Sequence, residues 1–394
     1  MTMDKITICG GGNGAQTLAS VAGHNLHCDV DLFSPFGDEA ERLGAGIEGH
    51  GGIETTGAIR TKGLPHRLSA NPEEVIPGSD MVVLVVPAFA HETTLRDIVP
   101  YLDDTAAVGA MPARGGFDFC ASRVLEEAGR PDVRLFGLQT LPWACRVQEY
   151  GRLVQVLGVK RAVDAATRPT RAWEEVAPLL ERMVGVPIGR GGNMLALTLA
   201  NTGQIIHPGI MYDLFRTWNG GTFEEKDVPF FYQGLSETGA NTLERLSGEV
   251  QKICASLEHW GLDLSSVREL KTWLVESYDG AIEDTSSLRS AFVTNRAYAG
   301  LRAPVEEVAP GKFAPAFSAR YLAEDVPYGL MVSQAIGRLT GTASPVMDEV
   351  VDWALERLAT VSGSALRGRT PQAYGLNDVN TLVRFATEGE SGPA

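Results

Sequence analysis

Lys5-Ile-Thr-Ile-Cys-Gly-Gly-Gly-Asn-Gly-Ala-Gln-Thr-Leu18 is the stretch from which the fold can be read. A short apolar strand carried by Ile6 and Ile8 runs into Gly10-x-Gly12-x-x-Ala15, and a helical run follows. That strand–turn–helix order opens a dinucleotide-binding βαβ unit. Gly10 takes the tight turn, Gly12 lets a pyrophosphate approach the backbone, and Ala15 is small enough for the helix to pack on the strand. Asn13 and Gly14 complete the first helical turn, whose N–H groups and partial positive charge suit phosphates. Gly10, Gly12, Asn13, Gly14 and Ala15 are therefore the expected cofactor turn. A plain glycine loop is the alternative, and the position directly behind a strand argues against it.

Working outward, strands are expected at Ile6–Cys9, Cys28–Ser34, Met81–Val86, Ala106–Ala110, Arg134–Leu138 and Leu153–Gly158. MVVLVV shows no polar alternation, as a strand buried on both faces should. Helices are expected between them at Asp38–Leu43, Glu92–Tyr101 and Phe117–Ala128. The β-α-β-α order predicts a Rossmann-type, doubly wound, mostly parallel sheet. Gly44–Gly57 and Ala58–Leu68 read as an irregular insertion. Val184–Asn193 reads as a last strand and linker, placing the division at 190/191. Beyond it Met194–Ile206, Ser236–His259 and Ser344–Thr360 carry helical periodicity, so residues 191–394 are expected to form an all-α domain after a nucleotide-binding domain of residues 1–190. The tail after Glu388 is expected to lack order.

The 394 residues carry a net charge of −15 and are 44% apolar. Such acidity argues against nucleic acid as a partner. No apolar run approaches the length of a membrane span, and no leader pattern opens the chain. Five scattered cysteines without Cys-x-x-Cys or Cys/His clustering point to reduced thiols in the cytoplasm and no structural metal.

Ligands of a doubly wound sheet lie beyond the carboxyl ends of its strands. Ser34 follows the second strand where an acid would favour NAD(H); Asp31 comes too early, and Asp38 and Arg42 lie on the next helix, as cofactor partners or as a solvated face. No basic cluster is present, so NAD(H) is favoured and NADP(H) stays open. Pro87 and Ala88 follow MVVLVV and are expected to line the cofactor cleft; His91 either touches it or is satisfied locally. Arg114 follows the next strand, as a carboxylate ligand or a surface residue. Gln139-Thr140-Leu141-Pro142-Trp143-Ala144-Cys145-Arg146 reads as a polar loop joining two strands, with Gln139, Thr140 and Cys145 facing a substrate, or as a structural loop around Trp143. His207-Pro208 is expected where a helix stops. Asp325 is a candidate to orient the His207 imidazole, in the manner of general acid–base pairs.

GGGNGA (10–15), VPAFAH (86–91), TLPWACR (140–146), HP (207–208) and RYLAEDVPYG (320–329), in that order, resemble the opine dehydrogenase family, and its octopine branch most closely. The likeness runs from the first strand to about Asn377. It implies a Rossmann domain followed by a helical domain, with the active site between them. It also implies the reductive condensation of an amino acid with an α-keto acid, commonly pyruvate, by NADH or NADPH through an imine. On this chain the resemblance makes His207 the acid–base group, Asp325 its partner, and Arg320 a contact to the cofactor pyrophosphate. Thr140 and Cys145, with Trp273, would lie in the amino-acid pocket, and Arg114 is the candidate for the keto acid. The state implied is a monomer or homodimer. One position departs: the octopine pattern has Glu before TLPWACR, and this chain has Gln139, so arginine is not expected as the preferred amine. The rival reading is a 2-hydroxy-acid or ketopantoate-type reductase acting on a ketone without an amine.

Overall fold

The computed structural model describes residues 4–362 and 368–387, so the expected disorder after Glu388 lies outside the described residues. Two compact units emerge. The first runs to Leu197 and takes in the chain again from Arg384; the second is Thr198–Val383. The division therefore falls seven residues beyond the one read from sequence, inside the helix Met194–Leu199. The return of the chain to the first unit has a local cause: Phe385 packs edge-on to Phe119, with the Arg168 guanidinium 3.6 Å from its ring centroid.

The first unit contains strands β1 (Lys5–Cys9), β2 (Asp29–Phe33), β3 (Ile53–Gly57), β4 (Lys62–Gly63), β5 (Arg67–Ser69), β6 (Met81–Leu84), β7 (Ala107–Ala110), β8 (Arg134–Leu138), β9 (Trp143–Glu149), β10 (Leu153–Val159), β11 (Val163–Arg168) and β12 (Ile188–Arg190). Eight of them form one sheet in the order β12-β11-β8-β7-β6-β1-β2-β5. All neighbours in it are parallel except β8 and β11. The doubly wound, mostly parallel expectation is met, and β6 is buried on both faces.

A second sheet, β4-β3-β10-β9, was not foreseen. It takes up the segment read as an irregular insertion and the second half of the octapeptide read as a loop. Trp143 to Glu149 is a strand pairing antiparallel to β10, with inward and outward side chains alternating at its start. Helix α1 (Asn13–Asn25) joins the two sheets: Ala15, Leu18, Ala19 and Ala22 share one core with Ile6, Ile8 and Val30 on one side and Trp143, Cys145, Val154 and Val156 on the other. Helix α2 (Glu39–His50) continues through Gly44, Gly46 and Gly49, where an irregular chain was expected. Gly46 explains the error. A side chain there would collide with the Tyr150 carbonyl and Gly151, so glycine serves close packing here rather than a break.

The second unit is helical apart from the hairpin β13 (Val305–Ala309) and β14 (Lys312–Pro315). Its long helix Glu237–Glu258 begins at Ser236, whose hydroxyl accepts the Gly239 N–H at 3.0 Å. Within that helix the buried Glu249 carboxylate accepts the N–H groups of Val346 and Met347 at 2.8 and 2.9 Å, capping the helix Pro345–Ser362. The helix read as Met194–Ile206 is two, Met194–Leu199 and Gly203–Phe215. Pro208 lies inside the second rather than ending the first. Pro208 is the sixth residue of that helix, so its missing N–H removes the bond the Gln204 carbonyl would accept while the helix continues past it.

Candidate active site

The glycine turn has the shape a dinucleotide requires. Gly10 adopts φ +122°, and a Cβ there would stand 2.7 Å from the Val85 carbonyl behind β6. Gly12 is the N-cap of α1, makes no side-chain cap and has open space where a Cβ would project. The first N–H groups of α1 therefore face room for a phosphate. Gln16 braces the turn from within, donating to the Gly11 carbonyl at 2.8 Å and accepting the Gly151 N–H at 3.0 Å. Asn13 accepts the Val147 N–H at 2.8 Å through its side chain, which leaves its backbone N–H as the part that can serve a ligand. Gly14 packs against Val85 and Leu141, and Ala15 is buried.

Sequence reading found no acid at the end of β2, and the structure supplies one from α2. A Cβ on Gly11 would collide with the carboxylate of Glu39, which lies beside the hydroxyls of Ser34 and Tyr150. Burial pushes the Glu39 carboxyl above its usual value, against the opposing pull of Tyr150, Arg42 and Ser34. Only the side-chain direction, which sequence spacing does not give, distinguishes Glu39 from its neighbours. Asp38 and Arg42 pair with each other at 2.9 Å in solvent, and Asp31 is buried with Lys5 at 2.9 Å. Cofactor groups thus fit this turn: phosphates at the α1 N-terminus and an acceptor for ribose hydroxyls at Glu39.

Pro87 caps a short turn of helix, Ala88–Ala90, behind β6, and Ala88 is buried. His91 is buried edge-on to Phe117, with ring centroids 5.2 Å apart, which favours the local reading. Arg114 is half-buried in the turn behind β7, where its carbonyl accepts the Phe117 N–H. Gln139 and Thr140 are half-buried at the end of β8, and the Gln139 N–H is held by Asp164. Cys145 points into the core on the α1 side, beside Thr17, and burial pushes its thiol up. Sequence reasoning passed over Lys160. Its ammonium donates to the Leu141 carbonyl at 2.8 Å, its backbone N–H donates to Pro142, and burial draws its pKa down to about 8.

In the second unit the chain brings together residues 118 positions apart: His207 Nδ1 lies 2.8 Å from Asp325 Oδ2. His207 projects from the helix Gly203–Phe215, and Asp325 immediately precedes Val326–Leu330, a wide-wound helical segment opened by Pro327. Asp325 is buried, while the His207 side chain remains partly exposed. The Tyr321 ring stacks on the imidazole, with centroids 4.2 Å apart and planes 16° from parallel. Nε2 meets the Tyr232 hydroxyl at 3.2 Å. Arg320 is mostly exposed and ion-paired with the buried Glu324. Trp273, on the helix Leu270–Ser277, joins the same aromatic assembly: its ring meets Tyr278, Tyr278 meets Tyr298, and Tyr298 stacks on Tyr232 at 3.9 Å. Tyr232 was missed because a tyrosine in an aromatic run, Pro-Phe-Phe-Tyr, carries no spacing signal.

A carboxylate on one imidazole nitrogen fixes the tautomer and leaves the other for proton transfer. Comparison with known proteins places the chain in a family. Opine dehydrogenase from Haliotis discus hannai is 34% identical over 97% of this chain and 99% of its own. The chain belongs to the opine dehydrogenase family. The model of the NAD/NADP octopine/nopaline dehydrogenase alpha-helical domain matches residues 190–358. A solved structure of octopine dehydrogenase with NADH and L-arginine superposes with a TM-score of 0.85 at 30% identity, covering 99% of both chains. Another, with NADH and pyruvate, gives 0.82 at 29% identity over the same shares. Family membership removes the ketone-only reductase as the leading alternative. Among the described residues, no helix is long and apolar enough to cross a membrane.

Proposed function

We propose that this member of the family condenses an amino acid with a short α-keto acid, pyruvate first among them, and reduces the resulting imine to a secondary amine. The observation that carries the reading is the His207–Asp325 contact, with the histidine side chain partly exposed. A dinucleotide whose phosphates and ribose would be held by Gly10, Gly12, Asn13, Gly14 and Ala15, with Ser34, Pro87, Ala88 and Glu39 around it, would supply the hydride from its dihydronicotinamide; NADH is the preferred form, because a carboxylate at Gly11 repels a 2′-phosphate. His207 takes a proton from the substrate ammonium, so that the free amine attacks the ketone. Asp325 stabilises the imidazolium so formed. His207 then returns the proton to the departing hydroxyl, which leaves as water. Arg320 and Arg114 are the cations assigned to the cofactor phosphates and the keto-acid carboxylate.

Gln139 and Thr140 are assigned to the amino-acid side, with Trp273 from the helical unit. A neutral amide at 139 forgoes the charge-assisted bond a guanidinium would make, worth about 1.5–3 kcal/mol. The amine substrate is therefore a small or neutral amino acid rather than arginine. Cys145 acts by filling the core behind this segment. The five free, mostly buried thiols suit a reducing compartment such as the cytoplasm.

The test is a matrix of amino acids against keto acids with NADH and NADPH, beside His207→Ala. Oxidation of NADH that needs both an amine and a keto acid, and that His207→Ala abolishes, is the expected result. Turnover with the keto acid alone, or full turnover by His207→Ala, would overturn the reading.

A further inference from the structure

The His207–Asp325 pair leaves one fact unexplained. The nitrogen that should exchange protons with the substrate, Nε2, is already met by the Tyr232 hydroxyl. That hydroxyl is within hydrogen-bond reach of a second phenol, Tyr321, whose own ring stacks on the imidazole. We propose that Tyr232 and Tyr321 form a hydroxyl relay through which protons reach and leave Nε2 of His207. The proposal rests on His207 being the acid–base group.

Tyr232 is held where a relay needs it. It lies in the segment leading into the helix Glu237–Glu258. There the Phe231 N–H bonds to Leu301 and the Tyr232 carbonyl accepts from Leu235. Its ring stacks on Tyr298 at 3.9 Å, lies beside Phe292 at 6.1 Å and 3° from parallel, and meets Phe231 edge-on at 4.8 Å. The ring position is thus fixed by stacking, and only the hydroxyl proton is free to turn. The ionisable groups acting on the pair are His207, Asp325, Tyr278 and Tyr298, while Arg320, paired with Glu324, lies beside Asp325. Burial pushes the Tyr232 phenol well above its ordinary value, with the neighbouring tyrosines and Asp325 adding to the shift. The phenol accordingly stays protonated at neutral pH and works by passing a proton on, not by holding a charge.

The proton count closes. With the imidazole neutral, Nδ1–H donates to Asp325 and Tyr232 O–H donates to Nε2. The substrate ammonium breaks one N–H bond, keeping the electron pair on nitrogen. Its proton binds a relay oxygen as Tyr232 passes its own proton to Nε2. The tyrosines end neutral, and the imidazolium carries the charge opposite Asp325. When the carbinolamine loses hydroxide, the same path runs backwards and the proton departs in water. Each hydroxyl exchanges donor for acceptor once in each direction, as an amphoteric group can and a phenylalanine ring cannot.

Tyr232→Phe keeps the stacked ring and removes the relay atom. The expected result is a fall in kcat of about a hundredfold, in the range of general acid–base contributions, with NADH affinity and melting temperature unchanged. The pH profile of kcat/KM is displaced, and the solvent-deuterium proton inventory of imine formation, read in the condensation direction, changes from curved to linear. Tyr321→Phe, which interrupts only the next hydroxyl, should show the same signs in weaker form. Full turnover by Tyr232→Phe, or a loss with the pH profile and inventory unmoved, overturns the relay. If His207→Ala is dead while Tyr232→Phe is normal, the relay alone fails; if His207→Ala is active, the underlying assignment fails with it.

Discussion

Asp325 Oδ2 and His207 Nδ1 stand 2.8 Å apart, and the carboxylate is buried while the histidine side chain keeps 19% of its surface exposed. The geometry decides which nitrogen carries the proton: a buried carboxylate can only accept, so Nδ1 donates and Nε2 keeps its lone pair. Asp325→Asn preserves the volume and reverses this, because the amide NH₂ can face Nδ1 and move the proton to Nε2. The substitution should lower kcat by about 10²–10⁴-fold and leave NADH binding untouched. Steady-state rates beside a fluorescence titration of NADH separate the two; equal losses in both would mean that Asp325 supports the fold instead.

Glu39 makes cofactor choice dependent on pH. Ribose hydroxyls need the ionised carboxylate as acceptor, and burial raises the pKa of this group. NADH affinity should therefore weaken as pH falls through a value above the ordinary glutamate range. In Glu39→Gln that step should disappear, NADH should bind about tenfold or more weakly at neutral pH, and the gap to NADPH should narrow. Equilibrium titrations with both nucleotides at several pH values measure this. An NADH/NADPH ratio unchanged by the substitution would remove Glu39 from the site.

How much of this was legible in the sequence follows from what each signal depends on. The glycine turn, β6 and the helix Glu237–Glu258 were readable because their patterns are local: a short spacing, an unbroken apolar run, a 3.6-residue period. The small sheet was not: β10 was readable as a strand, but its partners β3 and β9 lie in segments whose glycines and polar outer faces read as insertion and loop. The dyad could be named from its residue types and was strengthened by the resemblance, but no local rule joins positions 207 and 325, so the contact itself was not legible. Glu39 and Tyr232 required the direction of a side chain. Pro208 misled because a proline inside a helix removes one bond, the one to the Gln204 carbonyl, without obliging the helix to stop.

Gln139 offers a change of specificity at a single position. Gln139→Glu restores a carboxylate at the end of β8, next to Thr140. A charge-assisted bond of about 1.5–3 kcal/mol corresponds to roughly ten- to a hundredfold in kcat/KM. The variant should gain that factor for arginine and lose activity with neutral amino acids, with the KM for pyruvate unaffected. Competition between arginine and the best neutral amine reads it directly. No gain for arginine would place residue 139 outside the amine pocket.

Lys160 is a buried cation whose ammonium faces the Leu141 carbonyl, and burial draws its pKa from 10.5 to about 8. The sign of its effect on stability follows. Between about pH 8 and 10.5 the unfolded chain holds this proton and the folded chain does not, so stability rises with pH across that window. Below pH 8 both states are charged and the full burial cost remains. Buried tyrosines and cysteines, whose pKa values are raised, act in the opposite direction over the same range, so the lysine is visible only as a difference. Lys160→Met keeps the stem and removes the charge. The stability of the wild type minus that of the variant should climb from pH 8 to 10 in denaturant titrations. A flat difference would show that the ammonium is solvated, and that the segment from Gln139 to Trp143 is held by the Lys160 backbone bond to Pro142 alone.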